Sequence, residues 1–143
     1  MRSALIRTKL KEIEESIGLV EEHLPATFEA FSQLGLVKDG MYKQLEFALE
    51  NIFDICAIIN ADLELGIPRT DEDVVEHLVK GDVLSEELRT KLKSMKGFRN
   101  ILVHRYGKID DKLAFSLLKD ELRDCYVFIR RIKEFLETEE WRL

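Results

Sequence analysis

Proline is nearly absent from this sequence, at two residues in 143, and glycine is sparse at seven. That scarcity argues against a turn-rich β fold, whose many tight turns call for both residues. Cysteine occurs twice, as Cys56 and Cys125, each inside an apolar helical pattern where a free thiol reads as a small core hydrophobe. Neither suggests a disulfide framework or an oxidising compartment. Long apolar runs are also missing. The most apolar stretch, 52–61, is broken by Asp54 and falls short of the ~20 residues that span a bilayer. The first residues, Met1-Arg2-Ser3-Ala4-Leu5-Ile6-Arg7, lack the apolar stretch and cleavage site of a signal peptide. A cytoplasmic protein without membrane contact is expected. No Gly-rich phosphate loop, HExxH or Cys/His metal spacing occurs, so neither a metal nor another cofactor is expected.

What is present is charge and helical periodicity. The net charge is −6, which counts against nucleic-acid binding, but its distribution is uneven. Between 89 and 108 lie seven basic residues (Arg89, Lys91, Lys93, Lys96, Arg99, Arg105, Lys108) and no acidic one, whereas acids crowd at 12–15, 21–22, 71–73 and 137–140. Such a strip is either an electrostatic track for a phosphate backbone or a solvated helix face.

The length fits one domain, 1–143, with one core. Apolar residues recur at helical spacing in four long segments. The first stripe is Ile6, Leu10, Ile13, Ile17, Val20 and Leu24. A second is Leu45, Leu49, Ile52, Cys56, Ile59 and Leu63, with Phe47, Ile55 and Ile58 on its other faces, as expected for a central helix covered on several sides. Between them Pro25 is expected to open a short helix that Gly35 ends. Asp71 is the expected N-cap of a short helix ending near Gly81, and Ser85 that of the next. Asp110 or Asp111 opens the last, striped by Phe115, Leu118, Leu122, Cys125, Ile129, Ile132 and Leu136. Long helices with short connections predict an all-α fold, an up-and-down four-helix bundle with additional short helices.

On the helix after Ser85 the seam is expected to run Leu88, Leu92, Met95, Arg99, Leu102, Tyr106. An arginine on a seam costs desolvation unless it is paired or faces a cleft, so Arg99 marks a candidate site. His104, the side chain best suited to move protons near neutral pH, follows five residues later. On an unbroken helix that is about 140° around the axis, so joint work on one phosphate requires the helix to end near His104 or a second subunit to contribute. Asp54, set among apolar neighbours, either orients Arg99 across the bundle or faces solvent. His23 and His77 have no supporting constellation and read as surface residues.

The string Arg99-x4-His104-x-Tyr106, with Asn100 after the arginine, a helix bearing mid-helix Asp54 and a long final helix, resembles the R-x4-H-x-Y motif and frame of HepT-like toxins in the HEPN superfamily. The likeness extends over essentially the whole chain. It implies a HEPN-like helical fold and a metal-independent endoribonuclease that works as a homodimer, its two motifs facing across a cleft. Arg99 and His104 would be catalytic, with Asn100, Arg105, Tyr106, Lys96, Lys108 and Asp54 as supporting or RNA-contacting residues. It further implies a type VII toxin–antitoxin system in which an MntA-type nucleotidyltransferase antitoxin silences the toxin by transferring AMP to Tyr106. The alternative is a non-catalytic HEPN module that binds nucleotide or RNA beside a nucleotidyltransferase.

Overall fold

The computed structural model describes residues 1–103 and 108–141. Among them are six helices: α1 (Ser3–His23), α2 (Phe28–Ser32), α3 (Leu36–Asp62), α4 (Asp71–Lys80), α5 (Glu86–Leu102) and α6 (Asp111–Trp141). The apolar stripes become the core: Ile6, Leu10, Ile13, Ile17 and Val20 of α1 are buried, as are Leu45, Leu49, Ile52, Cys56 and Ile59 of α3 and the α6 stripe from Leu118 to Leu136.

Pairs along the helices fix the topology. Arg2 meets Asp62 at 2.8 Å and Lys9 meets Asp54 at 3.5 Å, so α1 and α3 run antiparallel. Lys91–Asp124 at 3.0 Å and Ser94–Glu121 at 2.7 Å set α5 antiparallel to α6. Arg7–Glu140 and Lys133–Glu14 do the same for α1 and α6. The result is the up-and-down bundle that the periodicity predicts, with α2 and α4 as short additions. No helix among the described residues is long and apolar enough to cross a membrane.

The short elements differ from their expected starts. Thr27, not Pro25, caps α2, its side chain accepting from the Ala30 N–H. Gly35 does not close α2, which ends at Ser32 with Gln33 as its C-cap; it opens α3 instead, at φ +57°, where a side chain would be strained. Phe47 lies 45% exposed, so α3 is not covered on every side in this chain. Thr70 rather than Asp71 caps α4, accepting from the Asp73 N–H at 3.1 Å. At the start of α6 the expected cap holds, with Asp110 Oδ1 accepting from the Leu113 N–H at 3.1 Å.

His77, unlike the surface residue expected, is held in a network. It is half-buried, with Nδ1 2.9 Å from Asn60 Oδ1, while Asn60 Nδ2 donates to the Gly66 carbonyl. This network fastens the turn after α3 onto α4. His23 is exposed, as expected.

Candidate active site

Ser85 starts α5 by accepting from the Leu88 N–H at 3.1 Å, with Glu86 and Glu87 favourably placed in the first turn. Its buried face is Leu88, Leu92, Met95, Phe98 and Leu102. Phe98 therefore takes the seam position assigned above to Arg99. On a 3.6-residue repeat both positions lie within reach of the stripe, and packing against the core selects the phenylalanine. Arg99 flanks the seam and is not in it. The helix ends at Leu102, ahead of His104, and Val103 caps it by donating to the Arg99 carbonyl at 3.1 Å.

Three elements position Arg99. Its place in the last turn of α5 suits a cation, because the unpaired carbonyls there carry partial negative charge. The guanidinium carbon stands 5.0 Å from the centroid of the Phe53 ring on α3, within cation–π range. Nη2 donates to Asp71 Oδ2 on α4 at 3.2 Å. The Arg99 side chain keeps 21% of its surface exposed. Beside it, where α3, α4 and α5 meet, a groove of about 270 Å³ is lined by Phe53, Asp71, Glu72, Lys93 and Lys96 among others.

Asp54 does not orient Arg99. It is largely exposed on the α1 side of α3 and faces Lys9. Of the two roles open to Asp54 the solvent-facing one holds, and the acid that meets Arg99 is Asp71 in the first turn of α4. Lys96 donates to Glu72 Oε1 at 2.6 Å, a hydrogen bond that holds the Glu72 carboxyl below the usual glutamate range. The basic strip is thus largely neutralised: Arg89 pairs with Glu76 and Glu86, Lys91 with Asp124, Lys96 with Glu72 and Arg99 with Asp71. Lys93 is exposed, with no ion pair to an acid among the described residues. Asn100 is exposed next to Arg99, and Lys108 is exposed ahead of α6. His104, Arg105 and Tyr106 lie outside the described residues.

Downstream of the motif, Asp111 Oδ1 accepts from the Tyr42 hydroxyl at 2.6 Å and Oδ2 from Lys38 at 2.7 Å. Phe31 and Phe28 pack their rings 5.0 and 6.0 Å from that of Phe115. The start of α6 is thereby tied to α2 and α3. Among the described residues no group of three or more His, Cys, Asp or Glu side chains is placed to hold a metal ion.

Residues 13–132 match the family model described as Ribonuclease HepT-like. The chain belongs to the HepT-like family. The mRNA nuclease HepT of Shewanella oneidensis is 31% identical over 129 residues, covering 90% of this chain and 96% of its own. The tRNA nuclease HepT of Aphanizomenon flos-aquae is 29% identical over 96 residues, 67% of this chain and 65% of that one. A solved structure, described as a tri-AMPylated S. oneidensis HEPN toxin in complex with MNT antitoxin, aligns with a TM-score of 0.79 at 28% identity, covering 90% of this chain and 96% of that one. The helical fold described above is the HEPN type. Within this HepT-like frame Arg99 is the first residue of the R-x4-H-x-Y string.

Proposed function

We propose that this chain is a metal-independent endoribonuclease, the toxin of a toxin–antitoxin pair, with Arg99 and His104 as its catalytic residues. The observation that carries the reading is Arg99 itself. An arginine anchored at a helix end, half-sheltered yet open to solvent, opens an intact R-x4-H-x-Y string in a HepT-like chain.

The chemistry needs little else. RNA supplies its own nucleophile, the 2′-hydroxyl. His104 takes or returns a proton as that oxygen attacks phosphorus and the 5′-oxygen leaves. Arg99 stabilises the charge that builds on the phosphate oxygens. A homodimer brings a second His104 to the cleft as the complementary acid or base. Asn100, Arg105, Tyr106, Lys96 and Lys108 serve as RNA contacts around this pair. With one relative named for mRNA and another for tRNA, the cleavage test presents both kinds of RNA.

Silencing follows the same logic. A nucleotidyltransferase antitoxin of the MNT type would join the Tyr106 oxygen to the α-phosphorus of ATP and release pyrophosphate. The resulting AMP adds bulk and negative charge beside Arg99, where an incoming phosphate must sit. The AMPylated state and MNT complex of the S. oneidensis relative support this reading.

The test is RNA cleavage in EDTA by the wild type, Arg99→Ala and His104→Ala. Cleavage by the wild type, lost in both variants, is the expected result. Undiminished cleavage by His104→Ala overturns the assignment, and a folded wild type that binds RNA without cutting it favours a non-catalytic binding module.

A further inference from the structure

We propose that Asp71, with the Phe53 ring behind it, is a positioning residue that holds the Arg99 guanidinium ready for phosphate before RNA arrives. The proposal rests on the ribonuclease reading above and adds to it residues outside the motif.

Each acid in the first turn of α4 is engaged differently. Asp73 Oδ2 accepts from the Arg69 N–H at 2.9 Å, and Glu72 takes Lys96. Thr70 performs the capping, so the Asp71 carboxylate is free of the helix and meets Arg99. The Phe53 side comes from another helix and is itself fixed, since that residue is buried in the core. Ring and carboxylate together restrict a side chain that otherwise samples many rotamers, so less freedom is lost when substrate binds.

Among the described residues this contact leaves most of the guanidinium available. It uses one N–H of the five that an arginine carries, through a single carboxylate oxygen. A bidentate embrace would occupy the fork that matches a phosphate, and the observed single bond does not. The opposite role is an inhibitory latch, in which Asp71 neutralises Arg99 and must be displaced by RNA. The two roles predict opposite signs for removal of the carboxylate.

The test measures single-turnover and steady-state cleavage of an RNA oligonucleotide in EDTA by the wild type, Asp71→Asn, Asp71→Glu and Phe53→Leu, with folding checked by circular dichroism. Small misplacements of a catalytic group cost up to about 100-fold in rate. Asp71→Asn is expected to lower kcat by roughly 10- to 100-fold with little change in KM, and Asp71→Glu to recover part of the loss. A second readout is independent of cleavage: the 15N NMR signal of the Arg99 side chain, restrained in the wild type and rotationally averaged in Asp71→Asn. Equal or faster cleavage by a folded Asp71→Asn overturns the proposal. If the wild type cuts no RNA, the ribonuclease reading fails by itself, and an Arg99 signal unchanged by Asp71→Asn then overturns the tether as well.

Discussion

The Ser94 hydroxyl donates to Glu121 Oε1 at 2.7 Å across the α5–α6 interface, onto a residue only 3% exposed. Burial first, and then the Asp124 and Asp120 carboxylates, raise the Glu121 pKa above the ordinary 4.5 against the opposing pull of Ser94. The folded chain therefore holds a proton that the unfolded chain has released as pH rises above 4.5, and stability falls as pH climbs through the folded value. Glu121→Gln mimics the protonated form. It is expected to raise stability at neutral pH by about 1 kcal/mol, with the gap closing as pH falls toward 4.5. Urea unfolding of both proteins across that range checks it; a gap independent of pH contradicts it.

Tyr42 and Asp111 behave oppositely. Burial raises the Asp111 pKa, but the hydrogen bonds from Lys38 and Tyr42 outweigh it and hold the carboxyl below its ordinary 3.8. Its stabilising contribution is present above 3.8 and is lost as pH falls through the lower folded value. Tyr42→Phe removes the bond to a charged acceptor and is expected to cost about 1–2 kcal/mol at pH 7, and less in strong acid. Denaturant titrations at neutral and acidic pH give the comparison.

Two glycines should respond with opposite signs to alanine. Gly66 has φ +141°, and a Cβ there would stand 2.8 Å from His77 Cε1, so Gly66→Ala is expected to destabilise by more than about 1 kcal/mol. Gly18, inside α1, has nothing within 4 Å of an added Cβ, and Gly18→Ala should stabilise by roughly 0.5–1 kcal/mol. Thermal melts of the two variants check the contrast.

Lys93 separates a phosphate track from a merely paired surface. Under the ribonuclease reading, Lys93→Ala should weaken binding to RNAs of different sequence alike and reduce the slope of log affinity against log salt by about 1. Lys91, engaged by Asp124, should contribute less. Salt titrations of RNA binding by an inactive His104→Ala background provide the measurement, and an unchanged slope in Lys93→Ala removes Lys93 from the track.

The bundle was readable because its long helices obey one apolar period, and the stripes of α1, α3 and α6 turned out buried nearly residue for residue. The site was less readable because it is set by contacts between elements. A spacing of three or four residues does not decide between Phe98 and Arg99, and only packing against the core chooses the phenylalanine. Asp71 was visible as an acid near a helix start, but Thr70, a residue earlier, takes the cap and frees the carboxylate for Arg99. The signal that would have found the pair was the match between acids at 71–73 and bases at 89–99. Asp54 kept two readings open for the complementary reason: its apolar neighbours in sequence lie on other faces of the same helix and say nothing about its own exposure, which the structure shows to be toward solvent.

The two thiols sealed in the core give the chain a built-in clock. Cys56 and Cys125 are both buried and unpaired, and burial pushes the Cys125 pKa up to about 12, so neither presents a reactive thiolate near neutral pH. A thiol reagent can reach them only when the bundle opens. Labelling at Cys56, on α3, and at Cys125, on α6, therefore times the opening of two different helices without any introduced probe.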